Sequence, residues 1–128
     1  MSSKCTVESL TNQALIADKC IVAESFWSRL KGLIGRSSLV AGEGLLLTRC
    51  NSVHMWFMRI SIDVVFLRKK EIREGATVYE VSSVREQVRP WKFLPVADFH
   101  ASETLELPAG IVRQRALSPG DELCIASR

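Results

Sequence analysis

The chain has 128 residues, with 17 lysines and arginines against 14 aspartates and glutamates, for a formal charge of +3. That length suits one domain spanning residues 1–128, which buries roughly two-thirds of the surface of its unfolded form and so needs no disulfide or metal staple. The small and dispersed positive charge argues against a nucleic-acid partner, whose affinity comes from basic residues clustered on one face, and no apolar run approaches the roughly 20 residues of a membrane span.

In chain order, residues 6–10 and 14–23 are β-leaning around the polar Thr11-Asn12-Gln13, which predicts a hairpin. The opening MSSKCTVESLTNQALIADKC lacks the continuous apolar region of a signal peptide. Cys5, Cys20, Cys50 and Cys124 are therefore expected to be the four reduced thiols of a cytoplasmic chain. In ESFWSRLKGLIGR, Phe26, Trp27, Leu30, Leu33 and Ile34 recur at helical spacing, with Ser25 placed to cap the first turn and Gly35 to end it. Gly42-Glu43-Gly44 reads as a turn leading into an apolar strand at residues 45–47.

Two further strands are expected at residues 53–58 and 62–67. The second is apolar at nearly every position, which predicts a central strand covered on both faces. Arg68, Lys69 and Lys70 then read as a solvated hairpin tip, and residues 77–84 as the returning strand. Residues 88–101 predict an irregular loop, because Pro90 and Pro95 remove ladder donors while Trp91, Phe93, Val96 and Phe99 still supply packing surface. The closing segment carries a strand through Leu107, a short helix with Pro108 in its first turn, a turn at Ser118-Pro119-Gly120-Asp121 and a last strand at 122–126. The sum is a single compact α+β domain, sheet-dominated and compatible with a barrel, of mostly antiparallel or mixed strands with about two helices.

RLKGLIGR, GEGLLL, VHMWFMRISIDVVFL, RPW, LELPAG and PGDEL, in this order, resemble the prokaryotic family of uncharacterised ancient conserved regions (ACR), a domain of unknown function. The resemblance covers about residues 23–125. It implies a compact α+β fold and assigns no activity, and many family members carry signal peptides or lipid anchors that this sequence lacks. Two departures stand out: RKKEIREGA replaces an Asp/Gly-rich turn after the IDVVFL-like strand, and Ser61 stands where the family often has Pro.

The stretch CNSVHMWFMRISIDVVFL sets polar groups within a core-forming pattern. On a strand, Cys50, Ser52, His54, Trp56 and Met58 share one face and Val53, Met55 and Phe57 the other. Asp63, between Ile62 and Val64, must face solvent, cap a turn or meet a cation such as Arg59. Glu106 in LELPAG is either an exposed rim residue or a partner for an arginine. Metal binding is not expected, because Cys50 and His54 form only one loose pair where structural zinc sites use two. No dinucleotide, phosphate-loop or nucleophile-elbow motif is present, and no cofactor is expected.

These residues point to a small-ligand site built from His54, Trp56, Arg59, Asp63, Trp91 and Glu106. An arginine fork beside aromatic surface suits an anionic or mixed-charge ligand. The expected state is a monomer with no nucleic-acid or membrane partner. Two other readings remain open: an adaptor that docks protein through the aromatic loop 88–101, and an enzyme using His54 and Asp63 as acid and base.

Overall fold

The computed structural model describes residues 3–23, 38–55, 58–90 and 94–127. Strands β1 (Ser3–Ser9), β2 (Ala14–Ala23) and β3 (Gly42–Leu47) are followed by the short β4 (Ser52–Val53). The long β5 (Ile62–Arg73) and β6 (Ala76–Val88), the short β7 (Val96–Ala97), β8 (Glu103–Pro108), helix α1 (Ile111–Gln114) and β9 (Glu122–Ser127) complete the order. Seven strands close into a barrel in the order β1-β2-β3-β8-β5-β6-β9, and β4 pairs with β7 outside it. All barrel pairs are antiparallel except β2 with β3.

Closure covers the inward face of β5 and β8, and a second core outside the barrel covers their outward face. Residues 62–67 are covered without interruption, as are Glu103–Pro108. Alternate residues divide between two cores, as the two-residue period of a strand requires. Val65, Leu67, Val81, Leu105, Leu107, Leu123 and Ile125 fill the barrel interior. Leu45, Leu47, Ile62, Val64 and Phe66 face outward into a second core with Val53, Met55, Met58, Val88 and Val96.

The expectation of a sheet-dominated single domain is met in its coarser form, a closed barrel in which strands predominate. Among the described residues there is one short helix rather than two, and the helix expected in ESFWSRLKGLIGR lies outside them. Several boundaries also move. Gly42, Glu43 and Gly44 belong to β3 rather than to a turn. A Cβ on Gly44 would lie 3.3 Å from Leu107 Cδ2 and 3.4 Å from the Glu106 carbonyl, so the glycine admits close approach of β8.

The strand expected at 53–58 shrinks to Ser52–Val53. Arg68, Lys69 and Lys70 lie within β5 and the tip moves to Glu74-Gly75, because β9 extends the β6 ladder as far as Ala76. Pro108 ends β8 instead of starting the helix. Ser118–Asp121 is a turn as expected, closed by Asp121 N–H donating to the Ser118 carbonyl (3.1 Å).

Asp63 takes the turn-capping option. It is fully buried on the interior face of β5, in line with Val65 and Leu67. Its Oδ1 accepts the Gln87 N–H (2.8 Å), and Oδ2 accepts the N–H groups of Gly110 (3.0 Å) and Val112 (2.8 Å). Gly110 is the left-handed N-cap of α1 and has no side chain with which to cap it. A carboxylate from another strand thus supplies the missing acceptor and holds Ile111 and Val112 in the barrel core. Asp63→Asn removes the charge and turns one acceptor into a donor facing amides. We expect a loss of about 3 kcal/mol in urea unfolding; a loss under about 0.5 kcal/mol, the range of an ordinary surface change, would show that the cap does not hold the helix.

Candidate functional site

Side chains of the strands and of α1 pack the interior, and an open cleft lies on the outer side of the barrel. On that outer side, residues 84–90 of β6 and the following turn face residues 95–97 across an open cleft of ≈ 840 Å³. Val88 and Val96 form part of its wall and also belong to the outer core. Arg85 lies with its guanidinium carbon 5.7 Å from the centroid of the Phe66 ring and donates one hydrogen bond to the Val84 carbonyl (3.1 Å). Arg89 also lines the cleft and is exposed.

The wall across the cleft is anchored at residues 96–98. Val53 of β4 pairs with Val96, and Ser52 with Ala97. The Asp98 carboxylate accepts the hydroxyls of Ser82 (2.7 Å) and Ser83 (2.6 Å) and the His100 N–H (2.9 Å). Burial pushes the Asp98 pKa up, but the Ser83 and Ser82 hydroxyls and the His100 amide outweigh it and hold the carboxyl below its usual range.

Glu106 is neither a rim residue nor, through Oε1, paired with an arginine among the described residues. It is 3% exposed. Its β3 partner is Leu45 and its β5 partner is Val64, both outer-core residues, so directly opposed side chains put an aliphatic group on each side of the carboxyl. Oε1 is buried without a hydrogen-bond partner, the one such side-chain atom among the described residues. Burial pushes the Glu106 pKa up to about 7.

Val64 also pairs with Arg85 on its other side. Arg85, Val64, Glu106 and Leu45 therefore form one row across β6, β5, β8 and β3 on the outer face. Two inter-strand spacings set Arg85 and Glu106 about 10 Å apart at the backbone.

The other expected site residues are placed as follows. His54 is exposed and follows Val53, whose partner lines the cleft. Arg59 is exposed and precedes β5, whose first residue Ile62 pairs with the cleft residue Val88. Asp63 faces the packed interior with its oxygens engaged by backbone amides, so it converges with neither His54 nor Arg59. Trp56 and Trp91 lie outside the described residues. Sequence reasoning missed Arg85, in the part of β6 that runs past the expected strand end at 84, and Arg89, just after β6; the signal for Arg85 was the two-residue alternation that turns it to the face opposite the inward Val84. No group of three or more potential metal ligands occurs among the described residues.

The family model of the uncharacterised ancient conserved regions (ACR, DUF192) matches residues 7–125. The chain belongs to that family. The match begins earlier than the resemblance at residue 23 suggested, because β1 and β2 close the same barrel. A UPF0127 protein of Thermococcus sibiricus is 32% identical over 106 residues, which cover 80% of this chain and 62% of that protein, so the chain spans less than two-thirds of its length.

Two solved structures share the fold of this DUF192 chain. A protein of unknown function from Novosphingobium aromaticivorans superposes with a TM-score of 0.75 at 19% identity, over 94% of this chain and 82% of that one. A protein from Sinorhizobium meliloti described as a candidate transcription regulator gives 0.76 at 20% identity, over 96% and 92%. No helix among the described residues is long and apolar enough to cross a membrane.

The raised Glu106 pKa fixes the sign of a stability change. The folded protein holds this proton to about pH 7, whereas the unfolded chain releases it near the ordinary value of 4.5. Its contribution is fully present below pH 4.5, declines as pH rises through that window and is lost above about 7, a change of about 3 kcal/mol. Subtracting the stability curve of Glu106→Leu from that of the native protein isolates it. A difference that stays level from pH 4.5 to 7.5 would mean that the carboxyl ionises as freely in the fold as in water.

Proposed function

We propose that this DUF192 chain is a small-ligand-binding protein whose site is the outer-face cleft, with Glu106, which does not itself line that cleft, as the buried polar group two strands in from the cleft residue Arg85. The observation that carries the reading is the Glu106 Oε1, a hydrogen-bonding atom with no partner among the described residues, set between Leu45 and Val64. An unpaired buried carboxyl destabilises a fold, and a residue of that kind is kept where a ligand completes it.

The ligand class follows from the row across the sheet. Arg85 and Arg89 present planar forks suited to a carboxylate or phosphate. The Glu106 carboxyl, with its pKa raised to about 7, suits an amine or another hydrogen-bond donor at the far end. A mixed-charge molecule, with an anionic group for the arginines and a hydrogen-bond donor for the carboxyl, fits both. His54 and Arg59 belong to the rim of the site in this reading. The protein acts as a cytoplasmic monomer without a cofactor, a nucleic-acid partner or a membrane.

The regulator label of the Sinorhizobium protein suggests DNA as a competing ligand. The clustered charge that DNA requires is not what supports a site here: Arg68 pairs with Glu80, Lys70 with Glu122 and Arg73 with Glu71.

The test is native mass spectrometry of the protein after incubation with a small-molecule extract and buffer exchange. We expect one adduct mass that is lost in Glu106→Leu and weakened at least tenfold in Arg85→Glu, with Glu106→Leu as stable as the native protein or more so at pH 7.5. An adduct that survives both changes, or none at all, would remove the site. A large loss of stability in Glu106→Leu would make the glutamate a structural residue.

A further inference from the structure

Cys5 and Cys20 belong to no part of the cleft. Cys5 lies on β1 and Cys20 directly opposite it on β2. Both side chains are buried in the barrel interior, at 2% and 0% exposure. Directly opposed residues of an antiparallel pair have Cα atoms about 4.5–5.5 Å apart and side chains on one face. That separation falls inside the range of about 4.4–6.8 Å that a disulfide spans, so a bond here needs no strand to move.

The other two cysteines are placed differently. Cys124 alternates with the inward Leu123 and Ile125, and so faces out of the barrel opposite Glu8. Cys50 follows β3 and its thiol donates to the Ser52 carbonyl (3.1 Å).

We propose that Cys5 and Cys20 are a dithiol oxidation site, at which a small-molecule disulfide links β1 to β2 by a reversible cross-strand bond. Cys5 is the attacking group. The Cys20 side chain facing it lowers its pKa against the effect of burial, while Cys5 and then burial push up the pKa of Cys20, whose thiol donates to the Ile21 carbonyl (3.9 Å). The Cys5 thiolate attacks one sulfur of the small disulfide and expels the first thiolate, which takes up the Cys5 proton. The Cys20 sulfur then attacks Cys5 Sγ, its proton passing to the second departing thiolate. The protein loses two electrons and two protons, and the small disulfide becomes two thiols.

Access is through the end of β1. Among the described residues the β1–β9 ladder ends at Cys5, opposite Ser127, and Ser3 and Lys4 pair with β2 and are exposed. Opening this end exposes Cys5 without unfolding the barrel.

The test uses the full chain carrying Cys50→Ser and Cys124→Ser, so that only the pair remains. The protein is incubated natively with oxidised glutathione, and a second portion is refolded from urea in the same reagent so that burial cannot hide the thiols. Both are then alkylated in denaturant. Mass spectrometry should show a chain two hydrogens lighter with no alkyl groups, and a melting temperature several degrees higher that returns on reduction. Adding Cys20→Ser should leave a single glutathione adduct on Cys5. Two alkylated thiols, or stable glutathione adducts on the pair, in the refolded portion would overturn the proposal. If only the native portion stayed unreacted, access through the β1 end would be refuted and the bond confined to the refolding chain.

Discussion

The Asp63 carboxylate is the interaction on which the arrangement depends. It is an ion with no solvent contact, tolerable because backbone N–H groups from the end of β6 and the start of α1 all point at it. The chain gains a plug in return. With α1 fastened, Ile111, Val112 and Leu117 complete the interior core with the inward residues of the strands. The interior of the seven-stranded barrel is thus filled by side chains from the strands and from α1.

The same closure gives the charged residues of β5 and β8 opposite fates. Asp63 and Glu103 alternate with inward leucines and valines and sit near the ends of the interior. There, polar groups are within reach: the Arg49 N–H (3.5 Å) and the Ser102 hydroxyl serve Glu103, and Glu103 in turn helps burial to push the Tyr79 pKa up to about 12. Glu106 has the other parity and lies mid-strand, where its cross-strand partners are aliphatic on both sides. Of these three buried carboxyls, the two facing the interior have partners for both oxygens or are spanned by donors, and the one facing the outer core has an oxygen left over. That contrast separates a residue the fold requires from one the fold merely permits.

How much of this was legible depended on whether the deciding partner has a letter in the sequence. The continuous burial of IDVVFL showed in its composition, and β1, β2 and the Ser118–Asp121 turn showed in alternation and turn residues. Asp63 could be narrowed to three options but not assigned, because its partners are backbone amides, which every residue carries. GEG reads as a turn because glycine more often bends a chain than lets another strand approach, and the approach of Leu107 to Gly44 comes from strands far apart in sequence.

The segment at 53–58 misled through its own alternation. Val53 and Met55 are buried, but Met58 is buried too and His54 is not, which breaks the two-residue period. For Glu106, the stretch LELPAG offered an exposed rim or an ion pair, and only the second core packed over the outward face of the barrel produced full burial.

The cleft is held differently from the barrel beside it. Its outer wall rests on a ladder of only two residue pairs, Ser52 with Ala97 and Val53 with Val96, far less than the strand pairs of the barrel. Left to that ladder, the wall would open readily. Asp98 changes the balance. Its carboxylate takes two serine hydroxyls from β6 while its own N–H donates to the Asn51 carbonyl (3.0 Å), so a single residue ties the loop after β7 to the barrel and to the segment before β4. The two-pair ladder at Val96 and Ala97 and the Asp98 carboxylate stand next to each other in the chain, so the hydroxyls of Ser82 and Ser83 and the Asn51 carbonyl reinforce the ladder directly and hold this short stretch of the wall to the barrel.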